Sequence, residues 1–171
     1  SGLPASPGAA VGQAVFTAKA AEEWKKDGKN VILCRLETSP EDIGGMAVAK
    51  GVVTSRGGMT SHAAVVARGM GCPCVSGAGE IKINEPKRFL EVNGTKLSEG
   101  DFISIDGFTG EVYGAKIPVR PSEIVQVLNG AMKESESILY KDYKTFMGFV
   151  QELKELGVYT NADTPHDAQM A

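Results

Sequence analysis

The residue in this chain best placed for covalent chemistry is His62, which lies in the stretch TSRGGMTSHAAVVARGMG at positions 54–71. A double glycine, Gly57 and Gly58, precedes it, and an apolar run at 63–68 with the pattern of an amphipathic helix follows it. Glycines permit positive φ angles and let consecutive backbone N–H groups point at one anion. This arrangement suits a histidine that carries a phosphoryl group.

The predicted helix places His62 in a first helical turn, with Thr60 or Ser61 as the capping residue. There the free N–H groups and the positive end of the helix dipole favour an anion, by about 0.3–1 kcal/mol for the dipole at an exposed site. The same field disfavours a protonated imidazole, so it helps a neutral histidine attack phosphorus and then holds the charge of phosphohistidine. The alternative is a histidine with a structural role only.

The segment GGMTSHAAVVAR at 57–68 resembles, at every position, the phosphohistidine signature of the enzymes that use phosphoenolpyruvate (PEP). Within that family it is similar to the pyruvate, phosphate dikinase branch. The resemblance extends to GLPASPGAAVG at 2–12, ETSPEDIGGM at 37–46 and TNADTP at 160–165, and thus covers nearly the whole chain. PEP synthase and the first enzyme of the phosphotransferase system are alternatives, although they typically carry an arginine where this chain has Met59.

The resemblance implies that His62 is the nucleophile of a central carrier domain. The full enzymes interconvert ATP, phosphate and pyruvate with AMP, diphosphate and PEP. The partners implied are an N-terminal nucleotide-binding domain and a C-terminal PEP/pyruvate barrel of the same polypeptide, in a homodimer that uses Mg²⁺ and a monovalent cation, K⁺ or NH₄⁺, at sites outside this chain. This fragment alone is not expected to turn over. A noncatalytic docking module is the alternative from another class.

Four residues beside the histidine form the expected phosphoryl cradle: Gly57, Gly58, Thr60 and Ser61. Arg56 either balances phosphate charge or is a solvated loop cation. Arg68 follows His62 by six residues, about 600° of helix rotation, so it is expected to lie off the histidine's face. Thr60 is also a candidate regulatory phosphosite, since the plant dikinases that the sequence resembles are controlled at that position.

Composition narrows the function classes. The 171 residues are 42% hydrophobic and 23% charged with a net charge of −3, which fits a globular chain with one sizeable core. The lysines and arginines are dispersed, so nucleic acid is not an expected partner. No apolar run approaches the ~20 residues of a membrane span, and the N-terminus does not have the form of a secretory signal.

The three cysteines, Cys34, Cys72 and Cys74, are odd in number, and the whole chain has two histidines. This count predicts neither a disulfide framework nor a zinc site, which needs about four ligands. Reduced thiols indicate an intracellular compartment, cytoplasmic by default, with a plastid or glycosome as alternatives.

Element signals predict an α/β fold. Strands are expected at 11–16, 31–36, 51–54 and 74–76, helices at 18–26, 40–49 and 63–68, and a β-meander over 81–114. The strand at 31–36 is apolar at nearly every position, which predicts burial on both faces. Trp24 is the expected anchor of the first helix, and Gly44 and Gly45 suggest close packing of the second.

Four segments follow from these patterns and the resemblance. Residues 1–10 are expected to be a linker, 11–117 the swivelling phosphohistidine domain with β/β/α layers, 118–157 a helical linker, and 158–171 the start of a barrel domain. The helices from 121 onward, broken near Asn129-Gly130, form either an arm of roughly 50 Å or a hairpin packed on the sheet. His166 is assigned no catalytic role.

Overall fold

The computed structural model describes residues 1–157 and divides the chain into two units, Ser1–Val119 and the residues from Arg120 onward. The strands are β1 (Leu3–Ser6), β2 (Ala9–Val15), β3 (Val31–Arg35), β4 (Gly51–Thr54), β5 (Cys74–Ser76), β6 (Lys82–Asn84), β7 (Phe89–Val92), β8 (Thr95–Ser98), β9 (Phe102–Asp106) and β10 (Glu111–Tyr113). The helices are α1 (Ala18–Lys26), α2 (Ile43–Val48), α3 (His62–Met70), α4 (Glu123–Leu128) and α5 (Ile138–Leu153). Across this described part, no helix combines the length and apolar character needed to cross a bilayer.

A seven-stranded sheet in the order β1-β5-β4-β3-β2-β9-β10 organises the first unit. Its centre is parallel, because β2, β3, β4 and β5 pair side by side in one direction, and β1, β9 and β10 add antiparallel edges. The N–H of Gly2 donates to the carbonyl of Gly110 at 2.8 Å, so the two edges meet and the sheet is nearly closed. The fold is therefore mixed α/β, as predicted.

The centre of the sheet is buried on both faces, which confirms the prediction for β3. Val31 and Leu33 pack in a cluster with the helices α1, α2 and α3, whereas Ile32 and Cys34 pack in a second cluster with residues of the small sheet. All four side chains are fully buried. Because side chains alternate along a strand, a continuously apolar strand can serve two cores.

Helix α1 has the predicted bounds, whereas the second helix begins later than predicted. Thr17 Oγ1 accepts from the N–H of Ala20 at 3.1 Å and caps α1, whose Trp24 is partly buried against the helical cluster. A methyl group on Gly45 would collide with Ala18 of α1, so close helix packing explains that glycine. The helix predicted over 40–49 is instead a 3₁₀ turn at Pro40–Asp42 followed by α2.

The prediction that residues 1–10 form a linker is wrong. Leu3–Ser6 is an edge strand of the large sheet, and β2 begins at Ala9. Pro4 suggested a turn, but an edge strand tolerates proline because the missing N–H faces away from the ladder. Pro4 pairs with Val75 of β5, and the register shifts between Pro4 and Ser6.

The predicted β-meander does not form one sheet. Strands β6, β7 and β8 make a separate three-stranded antiparallel sheet, while β9 and β10 join the large sheet beside β2. Tight turns predict which strands follow one another but not which sheet each strand enters, and β9 pairs antiparallel with β2, where Ile105 lies opposite Ala10.

Up to residue 157, the second unit contains two α-helices, as the break at Asn129-Gly130 predicted. Gly130 has a φ of +72°, a left-handed conformation that ends α4. Ser137 Oγ accepts from the N–H of Tyr140 at 3.0 Å, which caps α5, and donates to Glu123 Oε2 of α4 at 2.7 Å. The two helices therefore contact each other and do not form one continuous 50 Å path. The predicted barrel start at 158–171, with His166, lies outside the described residues.

Candidate functional site

Strand β4, a glycine loop at 55–61 and α3 place His62 at a helix N-terminus, as predicted. Gly57 has a φ of +103°, which glycine adopts without strain. Ser61, and not Thr60, is the capping residue, since its Oγ accepts from the N–H of Ala64 at 3.4 Å. His62 is the first residue of α3, where backbone N–H groups have no intrahelical carbonyl to bind. The half-buried imidazole thus stands beside unpaired donors that can hold an anion.

Buried hydroxyls hold the glycine loop from below. Thr54 Oγ1 donates to the carbonyl of Arg56 at 2.7 Å, and Ser76 Oγ lies 3.2 Å from both Thr54 Oγ1 and Ser61 Oγ. Thr54 and Ser76 are fully buried. A methyl group on Gly77 would collide with the carbonyl of Gly57, so the β5 end and the loop are in direct contact. These contacts fix the loop that presents the histidine.

Arg68 also contacts this loop. Its Nε donates to the carbonyl of Ala64 at 3.0 Å, and its Nη2 donates to the carbonyl of Met59. The guanidinium therefore turns back along α3 and joins the helix to the loop before it. Helix rotation predicts only where the Cα of Arg68 lies relative to His62. The long side chain lets the guanidinium reach back to the loop.

Thr38 contacts the imidazole directly. Its Oγ1 lies 3.0 Å from His62 Nδ1, and the residue is 8% exposed. Thr38 follows β3, and β3 is the parallel neighbour of β4, with Arg35 opposite Thr54. The carboxyl ends of the two strands therefore bring Thr38 and the glycine loop to the same edge of the sheet. One ring nitrogen is engaged by the protein, which leaves Nε2 for an incoming group.

The thiols are not nucleophiles in this fold. All three cysteines are free and buried. Burial raises the pKa of Cys34 and that of Cys74 to about 12 each, and raises the pKa of Cys72 to about 11. They are therefore protonated at neutral pH. Within residues 1–157 no three His, Cys, Asp or Glu side chains are grouped in a way that would hold a metal ion.

The four residues of the predicted cradle lie in the loop between β4 and α3, directly before His62: Gly57, Gly58, Thr60 and Ser61. Thr60 is exposed, and Arg56 is exposed in the same loop, so its charge-balancing role stays a prediction. Sequence reasoning missed Thr38, Ser76 and the contact of Arg68 with the loop. The parallel pairing of β3 with β4, had it been predicted, would have indicated Thr38, because polar residues that follow neighbouring parallel strands lie at the same edge of the sheet.

The comparisons with known proteins agree with this geometry. A family model described as "PEP-utilising enzyme, mobile domain" matches residues 27–110. Pyruvate, phosphate dikinase 2 of Zea mays is 52% identical over 170 residues, 99% of this chain and 18% of that protein. Pyruvate, phosphate dikinase of Clostridium symbiosum is 50% identical over 167 residues, 98% of this chain and 17% of that protein.

Among solved structures, the NMR solution structure of an Enzyme I protein is 28% identical, with a TM-score of 0.36, and the match covers 63% of this chain and 37% of that one. The chain spans less than a fifth of the length of the dikinases it matches. The matched family region contains the glycine loop, His62 and Thr38. The chain therefore belongs to the family of mobile domains of PEP-utilising enzymes.

Proposed function

We propose that this chain is the central phosphoryl-carrier domain of a pyruvate, phosphate dikinase, and that His62 is the carrier. The observation that carries the proposal is the geometry of His62 itself. The imidazole stands at the first position of α3 after a glycine loop, and its Nδ1 lies 3.0 Å from a buried hydroxyl. Identity of 52% to a dikinase over nearly the whole chain supports the choice of branch within the family.

The proposed step is an attack by His62 Nε2 on phosphorus. The Nε2 lone pair forms the P–N bond while the P–O bond to the leaving group breaks, and the leaving group takes that electron pair. For Nε2 to have a free lone pair in the neutral ring, Nδ1 must carry the proton, and this N–H donates a hydrogen bond to Thr38 Oγ1. The proton stays on Nδ1 throughout, and the return transfer reverses these bond changes.

Four residues supply the surroundings of the transferred group: Gly57, Gly58, Thr60 and Ser61. The N–H groups of the loop and of the first turn of α3 hold phosphoryl oxygens, because backbone donors and the helix dipole favour negative charge there. Arg56, exposed at the start of the loop, balances part of the phosphoryl charge.

One carrier histidine must serve two sites, since nucleotide and PEP are both large and highly charged. We therefore assign this domain two partners in the same polypeptide, an N-terminal nucleotide domain and a C-terminal PEP/pyruvate barrel, in a homodimeric enzyme. The helical clusters and the small sheet on opposite faces of the large sheet favour the layered β/β/α swivelling fold. The residues from 118 onward, which include α4 and α5, serve as the linker arm, and the sheet residues of 1–10 move with the domain.

Metal ions act elsewhere in this scheme. Mg²⁺ and a monovalent cation neutralise charge on the phosphoryl donors of such enzymes, and we place both outside this chain. No step proposed for His62 uses them. We place the protein inside the cell, in the cytoplasm or an organelle, because its three buried thiols are unpaired and several plant relatives are named chloroplastic.

Phosphorylation of His62 tests the proposal. In the full-length enzyme supplied with radiolabelled PEP, the wild type should acquire a label that is stable in alkali and lost in acid, since a protonated phosphoramidate bond hydrolyses. His62→Asn should abolish the label, and His166→Asn, which changes the other histidine, should keep it. Label that survives in His62→Asn would show that another residue is the carrier, and an unlabelled wild type would favour the noncatalytic docking module.

The related branches are separated by substrate balance. Incubated with ATP, pyruvate and phosphate, the full enzyme should consume phosphate and release diphosphate if it is a dikinase, and should form no product when phosphate is left out. Product formation without any phosphate requirement would instead assign it to the PEP synthase branch.

A further inference from the structure

Three charged side chains contact the segment 36–42, which carries Thr38, and the proposed phosphoryl step uses none of them. Arg35 ends β3, Asp42 lies in the 3₁₀ turn, and Glu85 follows β6. Their side chains are 20%, 5% and 23% exposed, respectively. Burial of charge costs several kcal/mol per ion unless partners compensate it. Because burial of these three charges costs free energy, we asked what they do beside the site.

The group forms one connected network. Arg35 Nε lies 3.3 Å from Asp42 Oδ1, outside hydrogen-bond alignment, so this contact is ionic. Arg35 Nη1 lies 3.4 Å from Glu85 Oε1 and donates to the carbonyl of Phe16 at 3.1 Å. The arginine thus ties both carboxylates to the end of β2.

Each carboxylate also binds the backbone on one side of Thr38. Asp42 Oδ2 accepts from the N–H of Ser39 at 2.9 Å, and Glu85 Oε1 accepts from the N–H of Leu36 at 2.8 Å. The Leu36 carbonyl in turn accepts from the N–H of Arg56 at 2.8 Å, in the glycine loop. The backbone is therefore held two residues before Thr38 and one residue after it, on the same network that reaches the loop of His62.

We propose that Asp42, Arg35 and Glu85 are positioning residues that hold Thr38 against His62 Nδ1 and thereby keep the ring in the tautomer with a free Nε2 lone pair. Hydrogen bonds to charged acceptors are stronger than neutral ones, so carboxylates fix a backbone segment more firmly than amides would. Without that restraint, Thr38 moves from Nδ1 and the two tautomers become mixed. The inference rests on the proposed function, because the tautomer matters only if Nε2 is the nucleophile.

The test uses the 171-residue chain labelled with ¹⁵N-histidine. The ¹⁵N shifts of the imidazole report which nitrogen carries the proton, and His62→Asn identifies the His62 signals. Potassium phosphoramidate serves as the phosphoryl donor, since it needs no partner domain: Nε2 forms the new P–N bond and ammonia leaves with the electron pair of the old one. The rate of phosphohistidine formation is followed by ³¹P NMR.

Asp42→Asn keeps the size of the side chain and removes its charge. We expect the wild type to show a proton on Nδ1, and the variant to show averaged shifts and phosphorylation about fivefold to tenfold slower, the scale of one lost hydrogen-bond preference. The matched control is Glu99→Gln, because Glu99 is another partly buried acid, 15% exposed, that pairs with an arginine, Arg88, at 2.8 Å. It should leave both the shifts and the rate unchanged.

Circular dichroism establishes that each variant is folded. Should Asp42→Asn not fold, Glu85→Gln decides in its place, because it leaves the Arg35–Asp42 pair intact and weakens the hold of Glu85 on Leu36 and on Arg35. A folded Asp42→Asn or Glu85→Gln with wild-type shifts and a wild-type rate would overturn the inference, as would an equal effect in Glu99→Gln. A wild-type chain that phosphoramidate does not modify on His62 would instead overturn the proposed function.

Discussion

His62 is defined as much by its neighbours as by its own chemistry. Thr38 lies 3.0 Å from Nδ1, and Ser61 caps the helix that His62 begins. Thr60 is different, because it is exposed. A charge placed on Thr60 should therefore act on the incoming phosphoryl group and not on stability.

Thr60→Glu should slow phosphorylation of His62 by about tenfold or more, since a carboxylate about 4 Å from a doubly charged donor opposes it by roughly 1–2 kcal/mol even in water. Phosphorylation of Thr60 would act in the same way. The rate with phosphoramidate measures the effect. Thr60→Gln is the control, because glutamine has the shape of glutamate without its charge, and it should react at nearly the wild-type rate. If Thr60→Glu reacted as fast as Thr60→Gln, the prediction would be contradicted.

Cys34 should make the fold sensitive to alkali. Burial raises the pKa of Cys34 from 9.0 to about 12, so the folded chain keeps a proton that the unfolded chain loses. This contribution is complete below pH 9 and declines as the pH rises towards 12, by up to about 1.4 kcal/mol per pH unit. Urea unfolding under reducing conditions from pH 8 upward measures it.

Cys34→Ala removes that group. Its free energy of unfolding should be lower at pH 8, because a cavity remains, but should fall less steeply with pH than that of the wild type. Parallel curves for the two proteins would show that Cys34 does not titrate as its burial requires.

At the scale of elements, two helical glycines differ in whether the surrounding structure leaves room for a side chain. Gly45 in α2 faces Ala18 of α1, and an added methyl group would meet Ala18 backbone and side chain. A methyl group added to Gly69 in α3 would meet no other part of the chain within 4 Å. Both are helical, so alanine improves helix propensity at each, and only packing distinguishes them.

Gly45→Ala should lower the free energy of unfolding by about 1–3 kcal/mol, the usual cost of overpacking a core contact. Gly69→Ala should raise it by up to about 1 kcal/mol through helix propensity alone. Urea unfolding of the two variants measures both changes. A stabilised Gly45→Ala would mean that α1 and α2 can separate at little cost.

At the scale of the whole molecule, the site and both core clusters belong to the unit Ser1–Val119. Near the end of that unit the chain is fixed by Ser104, which is 3% exposed. Its Oγ donates to the carbonyl of Ala115 at 2.7 Å and accepts from the N–H of Ile117 at 2.9 Å. Residues 115–117 are thus part of the folded unit although they form no strand.

A chain shortened to residues 1–119 should fold, unfold in urea within about 0.5 kcal/mol of the 171-residue chain, and be phosphorylated at the same rate. A chain shortened to residues 1–113 should lose about 1–3 kcal/mol, because the buried hydroxyl of Ser104 loses both partners. If the 1–119 chain were unfolded, the second unit would be required for the stability of the first.

Much of this protein could be predicted from local sequence. Strand β3, helices α1 and α3, and the glycine loop before His62 follow from apolar periodicity, capping residues and glycine, all of which act within a few residues. The resemblance added the proposed role of His62 as a carrier. These features need no knowledge of distant contacts.

Tertiary structure decided the rest. The segment around Pro4 looked like a linker, but it pairs with β5 as an edge strand. Strand β9 pairs with β2 and so belongs to the large sheet, apart from the sheet of β6, β7 and β8. Thr38 is 24 residues from His62 in sequence, and only the parallel pairing of β3 with β4 brings its hydroxyl to the imidazole. Sequence determines the local conformation of each element, whereas burial across the sheet selects among the many ways such elements can meet.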